Sequence, residues 1–243
     1  MKIKSGIYSL VVMVMLVILA SSCSKTVTND PIPNGSTVTD IDGNVYKTVT
    51  IGTQVWMAEN LKTTKYRNGD PIPNITDATA WTNLTTGAYC NNNNDANYAT
   101  TYGRLYNWYA VNDIRNIAPA GWHIPTKAEW TTLTTYLGGQ GVAGIKLKES
   151  GTMHWINTNT DVTNESGFAA LPGGMRCYNS YIITPIYKFQ TPGSDGLWWS
   201  SSEFNTNLAW FLILSGYPGF NIDYEFDDGG GKKDGLSIRC IKD

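Results

Sequence analysis

Hydrophobic and polar positions alternate with a period of two along Val45-Tyr46-Lys47-Thr48-Val49. Val45, Lys47 and Val49 fall on one face and Tyr46, Thr48 and Thr50 on the other, as in a strand whose successive side chains point to opposite sides. Asp42-Gly43-Asn44 separates this run from Val38-Thr39-Asp40-Ile41 and carries a tight-turn signal. Ile51 to Met57 adds another turn and strand, and Asn68-Gly69-Asp70-Pro71 a strong turn. After Pro125 the period becomes helical. Thr126 is an N-cap candidate, Glu129 completes a capping box, and Trp130, Leu133 and Leu137 share one face. Gly138-Gly139 ends that helix, and Trp122 and Ile124 just before it can staple it to a core. Gly103 to Val111 is dense in aromatic residues, and its periodicity does not decide between a short helix and a buried strand. Leu197–Ser202, Ala209–Leu214 and Gly235–Ile241 read as a strand series. Asn221 to Phe226 alternates, with Asp223 and Glu225 outward and Ile222, Tyr224 and Phe226 inward, which suits an antiparallel sheet with one wet face. Ile75 to Tyr102 is broken and polar, and Asn91 to Asp95 is expected to be an ordered loop.

The first stretch follows another logic. Met1-Lys2-Ile3-Lys4 is a short basic head, Ile7 to Ala20 is an uncharged apolar run, and Ser21-Ser22-Cys23 follow. This is the layout of a secretory signal, and the run falls short of the ~20 residues of a comfortable membrane span. Leu19-Ala20-Ser21-Ser22-Cys23 resembles a lipobox, although Ala20 stands where the usual pattern has Leu and Leu19 lies one step earlier. The resemblance implies cleavage before Cys23 and a lipid on its thiol, each buried CH₂ adding ~0.8 kcal/mol of anchoring. The alternatives are an ordinary secretory signal with Cys23 left over, or an uncleaved anchor. Ser24 to Thr37, with Pro31, Pro33, Asn34 and Gly35, has no hydrophobic period and reads as a tether. Extended, it reaches at most ~50 Å. The expected organisation is a signal peptide over 1–22, a lipidated cysteine and flexible tether over 23–37, and one domain over 38–243.

Composition narrows the function classes. The remaining ~205 residues suit one generous domain. A formal net charge of -2 supplies no basic field for nucleic acid. Charged residues are only 16% while aromatics reach 12%, with 24 Gly, which points to short strands with long ordered loops and away from disorder. Beyond Cys23 the thiols are Cys90, Cys177 and Cys240. Three is odd, so at least one stays free or pairs outside the chain. An oxidising compartment permits one disulfide. A bridge from Cys240 to Cys90 or Cys177 would pin the C-terminus, and Cys90–Cys240 is favoured; three free, buried thiols are the rival.

Four segments in order then suggest a family. They are Gly52-Thr53-Gln54-Val55-Trp56-Met57-Ala58-Glu59-Asn60-Leu61, Thr101-Tyr102-Gly103-Arg104-Leu105-Tyr106-Asn107-Trp108-Tyr109-Ala110, Gly121-Trp122-His123-Ile124-Pro125-Thr126-Lys127-Ala128-Glu129-Trp130, and Trp198-Trp199-Ser200-Ser201-Ser202-Glu203, with Gly235-Leu236-Ser237-Ile238-Arg239-Cys240 closing the chain. Together they resemble the Fibrobacter succinogenes major paralogous domain, common in Bacteroidetes and Fibrobacter surface proteins, over residues 38–243. That family is similar in turn to the C-type-lectin-like and formylglycine-generating-enzyme folds. The resemblance implies an α+β fold: a C-type-lectin-like twisted antiparallel sheet with one or two helices and long ordered loops. It implies no settled activity.

Candidate chemistry is sparse. Gly139 to Gly144 fits G-x-G-x-x-G, but a dinucleotide site needs a strand before it and a helix after. Here a helix precedes and a lysine-rich loop follows, so the glycines read as a helix stop. His123 and His154 lack zinc spacing, no G-x-S-x-G elbow exists, and no carboxylate pair can be placed at glycosidase separation. Nothing puts Cys177 and Cys240 in the role of a reactive cysteine pair. Asn91, Asn93 and Asp95 could offer oxygens to calcium, although one carboxylate makes a poor site; calcium is the only cofactor considered. Asp223, Glu225, Asp227 and Asp228 are more simply the wet face of a strand. Glu203, Asn205 and Asn207 beside Trp198 and Trp199 could bind a sugar through planar polar groups and ring stacking, as could Trp210, provided a ring is exposed. The expected protein is a lipid-anchored, non-enzymatic module of the outer membrane or cell envelope, periplasmic or surface-exposed, contacting a glycan or a protein through its loops. The alternatives are a structural surface module without a small ligand, and a polysaccharide-active enzyme.

Overall fold

The structure is a computed structural model, and its described residues are 35–139, 141–156, 161–179, 186–190, 192–216 and 230–243. The signal peptide, Cys23, the tether up to Asn34, and the acidic segment with Asp223, Glu225, Asp227 and Asp228 lie outside them.

The chain opens with β1 (Thr37–Thr39), β2 (Val45–Ile51) and β3 (Gln54–Met57), followed by α1 (Ala78–Thr82) and β4 (Tyr89–Cys90). A 3-10 turn over Asn92–Asn94 leads into α2 (Ala96–Tyr102), β5 (Leu105–Tyr106), α3 (Trp108–Val111) and β6 (Trp122–His123). Then come α4 (Lys127–Tyr136), α5 (Ala143–Leu147), β7 (Met175–Asn179), β8 (Ile186–Gln190), β9 (Asp195–Glu203), β10 (Leu208–Ser215), β11 (Gly230–Gly231) and β12 (Ile241–Lys242). Among the described residues every strand pair is antiparallel. One sheet runs β1-β2-β3-β12-β6, another β11-β10-β9, and β4-β5 and β7-β8 are two-stranded ribbons. The fold is α+β, with short helices and long connections.

Several elements follow from their residues as expected. In β2, Tyr46 and Thr48 are buried while Val45 and Lys47 face out. Helix α4 has the full capping box: Thr126 Oγ1 accepts from Glu129 N, and Thr126 N donates to the Glu129 carboxylate. Trp130, Leu133 and Leu137 are buried on its inner face. The aromatic run after Gly103 forms both alternatives in turn, β5 and then α3, because the Asn107 side chain accepts from Ala110 N and starts a helix where the strand stops. A five-residue helix, α5, starts within the glycine motif at Ala143 and occupies the expected loop, but α4 stands where a dinucleotide site needs a strand.

The pair β9–β10 is packed on both faces through its middle. Leu197, Trp199, Ala209 and Phe211 enter one apolar cluster with Tyr46, Tyr106 and Ile238. Trp198, Leu212 and Leu214 enter another with Trp56, Trp130 and Phe168. Neighbouring residues of a strand point to opposite faces, and here both faces are covered. One expectation is corrected: Gly235 to Ile241 is not one regular strand. It changes partner at nearly every step: Leu236 bonds Tyr106, Ser237 bonds Leu197 and Trp199, Leu61 N donates to Ile238 O, and Met57 N donates to Cys240 O. Only Ile241–Lys242 completes a ladder, between β3 and β6.

Beside this thread lies a fully buried guanidinium. Arg239 Nε and Nη2 donate to Asn60 Oδ1 at 3.0 and 2.7 Å, and Nη1 donates to the carbonyls of Phe168 (2.6 Å) and Met57 (3.3 Å). Asn60 Oδ1 also accepts from Trp198 Nε1 at 2.8 Å, and Asn60 Nδ2 donates to Tyr102 O at 2.8 Å. The Phe168 ring lies 4.3 Å from the guanidinium carbon. Such a charge is tolerable only while its donors are matched. Asn60→Ala removes the acceptor of two of them, and the expected cost is about 3–5 kcal/mol. Urea unfolding reads this as a lower midpoint at similar slope; a loss below ~1 kcal/mol would show that the network is dispensable.

Candidate binding cleft

Asp40 shapes one wall of a cavity between the β1–β2 turn and α2. Its Oδ1 accepts from the main-chain N–H of Asp42 and Asn44, and its Oδ2 accepts from Asn44 Nδ2 and the Tyr46 hydroxyl. Gly43 supplies the positive φ that closes this turn, +86°. The turn presents Asp42 to the segment 62–65, where Thr64 N, Thr64 Oγ1 and Thr63 Oγ1 donate to Asp42 Oδ2 and Lys65 Nζ lies 3.1 Å from Oδ1. Burial pushes the Asp42 carboxyl up, but these donors outweigh it and hold its pKa below the usual carboxylate value.

The opposite wall is α2, capped by Asp95, whose Oδ1 accepts from Asn97 N. It ends at Gly103, with φ +78° and ψ −169°, a conformation essentially reserved for glycine. A Cβ there would lie 2.7 Å from Asn60 Cβ and 2.9 Å from Leu61 O. This close approach delivers Arg104 to the cleft floor. Arg104 Nε donates to Lys62 O at 2.7 Å, Nη1 donates to Asn91 Oδ1 at 2.7 Å, and the guanidinium lies 4.8 Å from the Tyr89 ring centre. The cleft between the walls holds about 430 Å³ and is lined by Asp42, Asn44, Lys62, Thr64, Thr100 and Arg104, with Ala96 and Ala99. This is the size of a small-molecule pocket, with polar groups fixed by the frame.

The residues singled out from the sequence are dispersed. Trp198 and Trp199 are fully buried and cannot stack on a ligand; eight of the nine tryptophans are buried. Trp210 is partly exposed after a register shift in β10, but the Lys127 ammonium lies 3.2 Å from its ring centre and Phe204 packs edge-on at 5.0 Å. Glu203, Asn205 and Asn207 share the β9–β10 turn. Glu203 is ion-paired with Lys232, Asn205 Oδ1 accepts from Asn207 N and Leu208 N, and Asn207 O accepts from Lys232 N. Of the three supposed calcium ligands, Asn91 accepts from Arg104, Asp95 caps α2, and Asn93 is exposed at φ +51°. No group of three or more His, Cys, Asp or Glu able to hold a metal occurs among the described residues. Cys90 and Cys240 are not bridged. Each is a free thiol buried in a different apolar cluster, and burial pushes both up, Cys90 to about 12. Cys177 is free and half-buried.

Sequence reasoning passed over Arg104, Asp42 and Asn44 as site residues. The available signal was Arg104 itself, a cation inside the otherwise uncharged run Thr101 to Val111.

The histidines serve as ties. His154 Nδ1 meets Glu149 at 2.6 Å. His123 is held between two carboxylates, Nδ1 to Asp243 at 2.7 Å and Nε2 to Glu129 at 2.8 Å, so the chain end is fastened to the cap of α4. Burial works against the imidazolium, yet the Asp243 and Glu129 carboxylates raise the His123 pKa above its ordinary value. Glu129 is pushed up by burial and pulled further down by Thr126 and His123, to a net lowering. A raised histidine contributes stability fully present below ~6.5 and lost as pH rises through its folded value. A lowered glutamate contributes stability that is lost as pH falls through its own folded value. Wild type is therefore expected to lose thermal stability from pH 6 to pH 9 at low salt, while His123→Gln shows a flatter profile. Parallel profiles would remove the clamp's role.

Among the described residues no helix is long and apolar enough to cross a membrane. No curated protein and no solved structure matches the chain. The model of one family, the Fibrobacter succinogenes major domain, matches residues 49–242, which include all the elements from β3 to β12 and thus both Arg104 and the Arg239 network. The chain belongs to that family.

Proposed function

We propose that this protein is a lipid-anchored, non-enzymatic binding module of the bacterial cell envelope, built on a C-type-lectin-like scaffold, whose ligand enters the cleft between the β1–β2 turn and α2. The observation that carries the reading is the state of the cleft's polar groups. Asp42, Asn44 and Arg104 are each held by hydrogen bonds to the frame, so they are preorganised, and little ordering cost falls on binding. With eight tryptophans in the core, recognition by stacked indoles gives way to recognition by hydrogen bonds and charge. The basic head, apolar run and Cys23 supply export and anchorage, and the tether holds the domain off the lipid surface at the outer membrane, on either its periplasmic or its external side.

Two measurements test the two halves. Mass spectrometry of the native protein is expected to find an N-terminal, acylated Cys23, and Cys23→Ser to release the domain from membranes; an unmodified thiol with the leader attached would overturn the anchorage. The mature chain, applied to a glycan array and to envelope extracts with and without calcium, is expected to capture a ligand. That capture should be lost in Thr100→Trp, which fills the cleft from an exposed position of α2. Capture that survives this substitution would place recognition elsewhere.

A further inference from the structure

The polar groups of the cleft do not balance one another. Two cations, Lys62 and Arg104, face one carboxylate, Asp42. Asp42 is spent: Lys65 pairs with one of its oxygens, and Thr63 and Thr64 saturate the other. Lys62 is partly spent on Glu59, at 3.4 Å. The nearby Asp40 is closed off by four donors from its own turn and β2. Arg104 differs from all of these. Its two hydrogen-bond partners are a main-chain carbonyl and an amide oxygen, both neutral. It has no carboxylate partner among the described residues, and its Nη2 has no protein partner among them. The guanidinium is nonetheless fixed in plane by the Tyr89 ring and by the bonds at Nε and Nη1. A fixed guanidinium with one edge open toward a cavity is the geometry that receives a carboxylate through two parallel N–H···O bonds.

We propose that the cleft takes a carboxylate-bearing sugar, a uronic-acid unit of an acidic glycan, with the carboxylate on Arg104 and Lys62 and the ring hydroxyls on Asn44, Thr64 and Thr100. The proposal rests on the cleft being the binding site and adds the ligand class. A sugar fits better than an acidic peptide for two reasons. The lining consists of a turn, an irregular segment and a helix, so no strand edge is available to pair with a peptide backbone. The walls also offer hydroxyl and amide groups suited to sugar hydroxyls, while their apolar part is limited to Ala96 and Ala99.

The test uses the full mature chain in detergent and three probes in calorimetric titration: trigalacturonate, its fully methyl-esterified form, and a short oligoglutamate. Trigalacturonate is expected to bind, the ester at least tenfold more weakly, and added salt to weaken the acid alone. Thr100→Trp is expected to abolish binding. Ala96→Tyr, one turn earlier on the same wall, repeats the blockade should the first variant fold poorly. If ester and acid bind alike and both are blocked by the variants, the carboxylate assignment falls while the cleft stands. Oligoglutamate binding without trigalacturonate binding would make the ligand an acidic peptide and overturn the sugar. No titration signal from any probe, or signal untouched by both variants, overturns the inference.

Discussion

A buried guanidinium that pairs with no carboxylate among the described residues sits in the core of this domain, and the loops are arranged to satisfy it. Arg239 takes its acceptors from two stretches far apart in sequence: Met57 and Asn60 at and just after the end of β3, and Phe168 before β7. An apolar side chain there would leave the carbonyl of Phe168 and part of Asn60 without donors, and an unmatched buried polar group costs about 1–3 kcal/mol. The charge and the irregular backbone therefore require each other. Long loops bring many carbonyls indoors without a ladder to receive them, and a buried arginine supplies several donors at one point.

The same solution recurs. Arg67 donates to the carbonyls of Ala118, Pro119 and Trp122, and Arg176 to those of Ile75 and Thr76 while lying against Trp81 and Phe189. Of the five arginines, only Arg115 forms an ion pair with carboxylates among the described residues, Asp70 and Asp113. This accounts for a chain of 16% charged residues that still holds extended connections in place. The scarce cations act as main-chain ties, where a planar fork with five donors is worth more than a surface ion pair.

What could be read from the residues tracks how local the deciding interaction is. The α4 cap and the stop at Gly138 depend on neighbours within a few positions and form as expected; the β2 alternation holds from Val45 to Thr48, after which Thr50 is exposed and Ile51 buried. Trp198 and Trp199 were legible as important aromatics but not as core, because their burial depends on both faces of β9 being covered by segments more than 100 residues distant, Tyr46 and Trp56 among them. The C-terminal run has the composition of a strand, yet its successive bonds go to Tyr106, Leu197, Leu61 and Met57, a sequence of partners no periodicity encodes. The cleft was illegible for a related reason. Asn91 and Asp95 look like free oxygens in a polar loop, and only the fold shows one accepting from an arginine and the other capping a helix.

The core network and the cleft meet at Asn60. Its side-chain oxygen serves Arg239 and Trp198 inside, while its amide nitrogen holds the carbonyl of Tyr102, the last residue of α2. Leu61 O then accepts from Arg104 N, and Gly103 passes between them against Asn60 Cβ. The cleft wall is therefore fastened to the most buried charge of the domain through a single side chain. Arg104 is placed by the same device that places Arg239, a fork on neutral oxygens, with one difference: its remaining edge faces a cavity instead of Phe168. An arginine whose charge is met by the protein closes a core, and one whose charge is left open at the surface of that core is free to meet an anion from outside.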